Sequence, residues 1–236
     1  MKKYIKLLFL LPVIGYMAIT PSNAQKAKSF KGIITYDLTY SGDGIDAAKL
    51  AQMPKESVLK IYENKTLQES GPSSIITNGD LKIKYLLFDF SAYGAKKYLI
   101  KQTEEDIKKE EAENGGSEIK YIDETKEIAG YKCKKAEITA KNPDDDEEKA
   151  AKITVWYTEE LGGEAVNFGN DMFHGLKGVA LEYEIVTSKV TVKAVTKTVV
   201  KGKVKETEFL IPTDFQETTM EAFQEEMKAL MGGGDE

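Results

Sequence analysis

Apolar and polar side chains alternate through stretch after stretch of this chain. That period of two limits the possible folds more than any other feature. In Ile34-Thr35-Tyr36-Asp37-Leu38-Thr39-Tyr40 the even positions are apolar and the odd ones polar. Successive side chains of a strand point to opposite faces, so the stretch predicts a strand with one face buried. The same reading predicts strands over 58–63 and 66–70 around Asn64-Lys65, and over 74–77 and 81–90. The latter two flank Asn78-Gly79, a dipeptide suited to a two-residue hairpin because both positions tolerate positive φ. Tyr93-Gly94 turns the chain before 97–101, and further strands are predicted over 118–123, 131–139, 152–158, 179–187 and 189–201. A last one over 203–211 returns across Gly202. About ten strands with short links describe an antiparallel sheet curled toward a barrel or sandwich.

Three stretches break the alternation. Residues 45–53 carry helix-forming Ala, Lys and Leu and stop at Pro54. Residues 104–113 are charged on nearly every side, which predicts a solvated, weakly held helix. Residues 218–231 make the strongest helical segment: Thr218 and Glu221 have capping-box spacing, and Met220, Phe223, Met227, Leu230 and Met231 form one apolar stripe. The stripe suits docking on the chain's own sheet. It also suits an adaptable lid or partner surface, since methionine fits varied shapes.

The N-terminus reads as an export signal. A basic start, Met1-Lys2-Lys3-Tyr4-Ile5-Lys6, precedes an apolar run from Leu7 to Ile19 and a small-residue cleavage site at Ser22-Asn23-Ala24. That run is too short to span a bilayer, which takes ~20 apolar residues. Residues 1–24 are therefore expected to be a signal peptide, cleaved near Ala24-Gln25, and 25–236 a single β-rich domain with its C-terminal helix at 218–231. No cysteine stands beside the cleavage site, so a lipoprotein is not expected. The implied location is periplasmic or secreted, with no transmembrane segment in the mature chain.

Charge narrows the partners. All 33 basic residues are lysine, against 39 acids, for a net charge of −6. Loss of the leader's three lysines makes the remainder more acidic. A chain of this sign, without the arginine fork that reads phosphates and base edges, is not expected to bind nucleic acid. Cys133 is the one cysteine, so no intramolecular disulfide can form. It reads as a small buried core residue. His174 is the one histidine and lies in a predicted loop, where it reads as solvated; a general base needs a positioned partner. The run Asp144-Asp145-Asp146-Glu147-Glu148 lacks the spacing and glycine of a calcium loop and reads as a solvated acidic turn. No phosphate-cradling glycine loop or nucleophile elbow occurs. No enzyme activity, metal or cofactor is expected.

Three signatures follow one another: Gly130-Tyr131-Lys132-Cys133-Lys134-Lys135-Ala136, then Val155-Trp156-Tyr157-Thr158-Glu159-Glu160, then Gly175-Leu176-Lys177-Gly178-Val179-Ala180-Leu181-Glu182. Gly130 reads as a turn residue, and Gly175 and Gly178 as a tight turn or close backbone contact before a long strand. In order and spacing the set resembles the GLPGLI family and its sister family of unknown function, both secreted envelope proteins of Gram-negative bacteria. Lys177 stands where the naming motif has proline, and Phe209-Leu210-Ile211-Pro212 suits the sister family better. The resemblance spans roughly residues 30–215 and brings no catalytic residues. It implies a mainly β fold: one curved antiparallel sheet, a half-open β-barrel with short helices and a C-terminal helix, similar to the Lol-type lipoprotein carriers. In such a fold the sheet wraps an apolar cavity. The residues expected to line it are Tyr36, Leu38, Tyr40, Trp156, Tyr157, Leu181, Tyr183, Met220, Phe223 and Met227. The expected function is non-catalytic binding or carriage of an apolar small molecule or lipid. The alternative is an envelope protein–protein interaction module without a ligand.

Overall fold

A computed structural model describes residues 30–42, 45, 47–94, 96–113, 116–140, 151–187 and 189–232. The expected leader and the Asp144–Glu148 run lie outside the described residues. The alternating segments form strands β1 (Lys31–Ser41), β2 (Glu56–Tyr62), β3 (Lys65–Ser70), β4 (Ser73–Asn78), β5 (Ile83–Asp89) and β6 (Lys97–Thr103). They continue with β7 (Ser117–Ile128), β8 (Tyr131–Ala140), β9 (Ala151–Thr158), β10 (Val179–Val186), β11 (Thr191–Lys201) and β12 (Gln216–Thr218). All belong to one sheet ordered β12-β6-β5-β4-β3-β2-β1-β11-β10-β9-β8-β7. Every pairing is antiparallel except the short β12–β6 pairing. The edge strands β12 and β7 are not paired with each other, so the curved sheet is a half-open barrel. Three helices accompany it: α1 (Ala47–Gln52), α2 (Glu104–Glu113) and α3 (Met220–Gly232). Among the described residues no helix is long and apolar enough to cross a membrane.

The two halves of the sheet are packed differently. Along β1 and β8 to β11, Leu38, Ala136, Ile138, Val155, Tyr183 and Ala194 point inward. They close on the segment between β9 and β10, which delivers Leu161, Val166, Phe173 and Leu176 into the interior. That segment is held by local chemistry. Asn170 Oδ1 accepts from the backbone N–H of Met172 and Phe173, and Asn167 Nδ2 donates to the carbonyls of Leu176 and Gly178 at 2.8 Å each. Along β3 to β6 the apolar residues Leu67, Ile76, Leu87 and Leu99 face outward instead. There Val204 and Phe209, from the strap that follows β11, cover them.

That strap corrects one expectation. Residues 203–211 are a loop and a short 3-10 turn over Glu206–Phe209, not a strand. Their apolar side chains cap the outer face, and a strand there would have no neighbour to pair with. The 78–79 hairpin also differs. Residues 79–82 form the turn, with Asn78 Oδ1 accepting from the N–H of Asp80 and Leu81. Gly79 is there for proximity, since a Cβ would meet the Ala165 carbonyl oxygen at 2.2 Å. The expected glycine roles do hold at 129–130, where Ala129 (φ 51°) and Gly130 (φ 81°) make the two-residue turn between Ile128 and Tyr131. Likewise, a Cβ on Gly178 would lie 2.5 Å from the Thr158 carbonyl oxygen.

Helices α2 and α3 sit over the inner face of β5 and β6. Helix α2 is not merely solvated: Ile107 is buried, and Thr103 and Asp106 cap its first turn reciprocally. On α3 the cap is Thr219 rather than Thr218, its hydroxyl accepting from the Ala222 N–H at 3.2 Å. Phe223 docks the helix, stacking on Phe88 with centroids 4.5 Å apart and meeting Tyr98 edge-on at 5.4 Å.

Candidate functional site

Where the two halves meet, the inner face is incompletely filled. A cavity of about 310 Å³ lies between β1 to β4, the start of β10 and the 166–173 segment. Its apolar wall includes Leu59, Ile61, Ile75, Val166, Phe168 and Phe173. Its polar wall includes Thr66, Gln68, Thr77 and Asp171, and from the two threonines a polar row continues across the sheet beyond the cavity. Thr66 on β3 faces Thr77 on β4, Thr77 faces Lys84 on β5, and Lys84 faces Gln102 on β6. All four are buried. The Thr66 and Thr77 hydroxyls bond each other, while Lys84 Nζ lies 2.7 Å from Asp171 Oδ1 on the covering segment. Gln102 donates to Glu110 of α2, and its own Oε1 is buried without a partner among the described residues. Burial raises the Glu110 carboxyl above the usual carboxylate range.

Two tyrosines complete the lining. The Tyr36 hydroxyl donates to the Ala180 carbonyl at 2.7 Å. Burial, then the neighbouring Tyr183, holds its pKa well above the ordinary phenol value. Tyr183 is pushed up to about 12, chiefly by burial. Both therefore act as neutral hydrogen-bonding groups. Chemically the cavity offers an apolar wall with a hydrogen-bonding stripe at one side, the general make-up of a small-molecule pocket.

Of the residues expected to line a cavity, Tyr36 and Tyr183 do so. Leu38 points into the filled part of the core, and Tyr40 donates to the Pro54 carbonyl at 2.9 Å. Tyr157 and Leu181 are core residues of the filled half. Trp156 lies on the opposite face from Tyr157, beneath the Lys126 ammonium 4.4 Å from its ring. Phe223 packs at the far side of the half-barrel, with Met220 and Met227 half-buried on the same helix. Leu230 and Met231 carry no described side chains. Cys133 is fully buried, and burial pushes its thiol up to about 11. His174 is half-exposed and bonds Glu111 through Nδ1. Among the described residues no cluster of His, Cys, Asp and Glu could hold a metal ion.

The sequence reading missed the polar row and the covering segment. The available signals were Lys84 interrupting the apolar run Ile83–Phe88, and Thr66 and Gln68 flanking Leu67.

No family model matches this chain, and no curated protein matches it in sequence. Among solved structures it is similar to PNGF-II in two crystal forms. One superposes with a TM-score of 0.52 at 17% identity, over 84% of this chain and 33% of that one. The other gives 0.51 at 17% identity, over 82% and 32%. The chain thus spans about a third of PNGF-II, and the likeness is one of fold. A beta-barrel-like protein of domain of unknown function DUF1849 from Brucella abortus aligns loosely, with a TM-score of 0.38 at 6% identity over 75% of this chain and 100% of that one. A putative outer membrane lipoprotein-sorting protein domain from Vibrio parahaemolyticus aligns more loosely still, at 0.22 and 10% identity over 76% and 89%.

Proposed function

We propose that this chain is an exported, non-catalytic binder or carrier of an apolar ligand, a lipid or acyl chain, held in the half-barrel. The supporting observation is the unfilled inner face. A sheet this size normally closes its inner face with its own side chains, at close packing. Here the 166–173 segment stops short and leaves about 310 Å³, at the low end for ligand pockets. The signal-peptide layout of residues 1–24 and the resemblance of the three signatures to GLPGLI-type envelope proteins fit a periplasmic or secreted role. The test is to incubate the purified chain with a mixed extract of phospholipids and fatty acids, re-isolate it, and identify bound molecules by mass spectrometry. One chain-bearing molecule per protein is expected, lost in Ile61→Trp, which fills the cavity. No bound molecule on the parent protein would overturn the reading.

The second reading is a protein-interaction surface. It is favoured by Leu81 and Leu210, each 67% exposed, which flank an outer-face groove of about 410 Å³. Leu81→Asp with Leu210→Asp should abolish capture of an envelope partner if this reading is right, and leave lipid binding unchanged.

A further inference from the structure

The polar row carries a more specific statement about the ligand. Lys84 is 2% exposed, on a strand whose next inward residue, Leu86, is an ordinary apolar wall. Holding an ammonium out of water is costly unless it is paired. Its salt-bridge partner is Asp171, whose side chain is 76% exposed. The arrangement is lopsided: the cation is built into the sheet, and the anion reaches in from a surface loop. Gly169 makes it possible. Its φ is +63°, and a Cβ there would lie 3.2 Å from Cδ of the Lys84 stem, so this loop closes over the lysine without a side chain between them. Asp171 itself lines the cavity, as does Thr77, the cross-strand neighbour of Lys84. The ammonium therefore lies directly behind the cavity lining, covered by Gly169 and paired to Asp171, an anion that solvent can replace.

Two further groups bear on what fits there. The Gln102 carbonyl oxygen, beside Lys84 in the row, is buried and has no partner among the described residues. The Glu110 carboxyl, raised chiefly by burial, lies close enough to feel both Lys84 and Asp171. A second permanent anion beside Asp171 would meet repulsion, so an anionic headgroup enters by displacing the Asp171 carboxylate.

We propose that the ligand is a single-chain amphiphile with a carboxylate headgroup. Its chain lies along Ile61 and Ile75, and its carboxylate takes the place of Asp171 on Lys84. This rests on the carrier reading above and names its ligand class. The experiment compares decanoate with decanol, the same chain without the charge, by calorimetric titration of the full chain. Decanoate should bind at least ~10-fold tighter, the scale of one charge-assisted hydrogen bond. Lys84→Met should remove that preference and keep decanol binding. Asp171→Asn, checked as folded by far-UV circular dichroism, should strengthen decanoate binding alone. Equal affinity for the two probes, a preference that survives Lys84→Met, or unchanged decanoate affinity in Asp171→Asn would each overturn the headgroup assignment and leave the carrier reading standing. Failure of both probes to bind the parent protein would remove both.

Discussion

The two halves of this sheet share a chain, a strand pattern and a curvature, yet only one of them builds a second apolar cluster on its outer face. In the half built from β1 and β8 to β11, the apolar faces point inward and close on Leu161, Phe173 and Leu176. In the half built from β3 to β6, Leu67, Ile76, Leu87 and Leu99 point outward under the Phe209 strap. The inner face there carries Thr66, Thr77, Lys84 and Gln102. One half spends its inner face on stability. The other adds an outer cluster under the strap, and its inner face carries the polar row beside the apolar contacts of α2 and α3.

If that contrast is right, damage should be sharply unequal across the molecule. The largest effect is expected at Leu176, which has no exposed surface. Leu176→Ala should cost about 3–5 kcal/mol of unfolding free energy by urea titration, from lost transfer energy plus the hole left behind. A loss below ~1 kcal/mol would mean the filled half is not filled. Next is the seam between the halves. Tyr36→Phe deletes the donor to the buried Ala180 carbonyl and should cost about 1–3 kcal/mol.

The alkaline response gives a smaller effect. The Cys133 thiol is held at about 11 in the fold, against an ordinary value of 9.0. The unfolded chain therefore loses its thiol proton first as pH rises. Stability falls above pH ~9, and the fall levels off near the folded value, with a slope of ~1.4 kcal/mol per pH unit for one proton. Between pH 8 and 10 the parent protein should lose about 1 kcal/mol more than Cys133→Ala. Equal losses would mean that the thiol is not buried in the solution structure. The smallest effect is expected on the cavity wall, where Ile75→Val should cost no more than ~0.5 kcal/mol, because part of the isoleucine already faces empty space.

How much of this was legible in the sequence follows the same division. The strand alternation located eleven of the twelve strands, because half-buried strands must alternate. It misplaced 203–211, since an apolar strap laid across a sheet carries the same side chains as a strand. It also missed β12, whose three residues are too short for any period to show. Gly130 and Gly178 were legible because turn geometry and close approach admit few other residues. The cavity residues were harder. Tyr36 and Tyr183 sit on periodic strands, but Trp156 and Phe223 are large apolar residues that serve elsewhere, and size alone does not say which face or which end a residue serves. Thr66, Thr77, Lys84 and Gln102 come from four strands, and only the strand register aligns them into one row.

The central claim is that the inner face between β1 and β4, not the outer face of β3 to β6, receives an apolar chain. Methyl NMR of the isoleucine- and leucine-labelled protein during a decanoate titration tests it most directly. The account predicts shifts at Leu59, Ile61 and Ile75, with Ile76, Leu87 and Leu99 unmoved although they lie on the same or neighbouring strands. Shifts confined to the second set, or none in either, would contradict it.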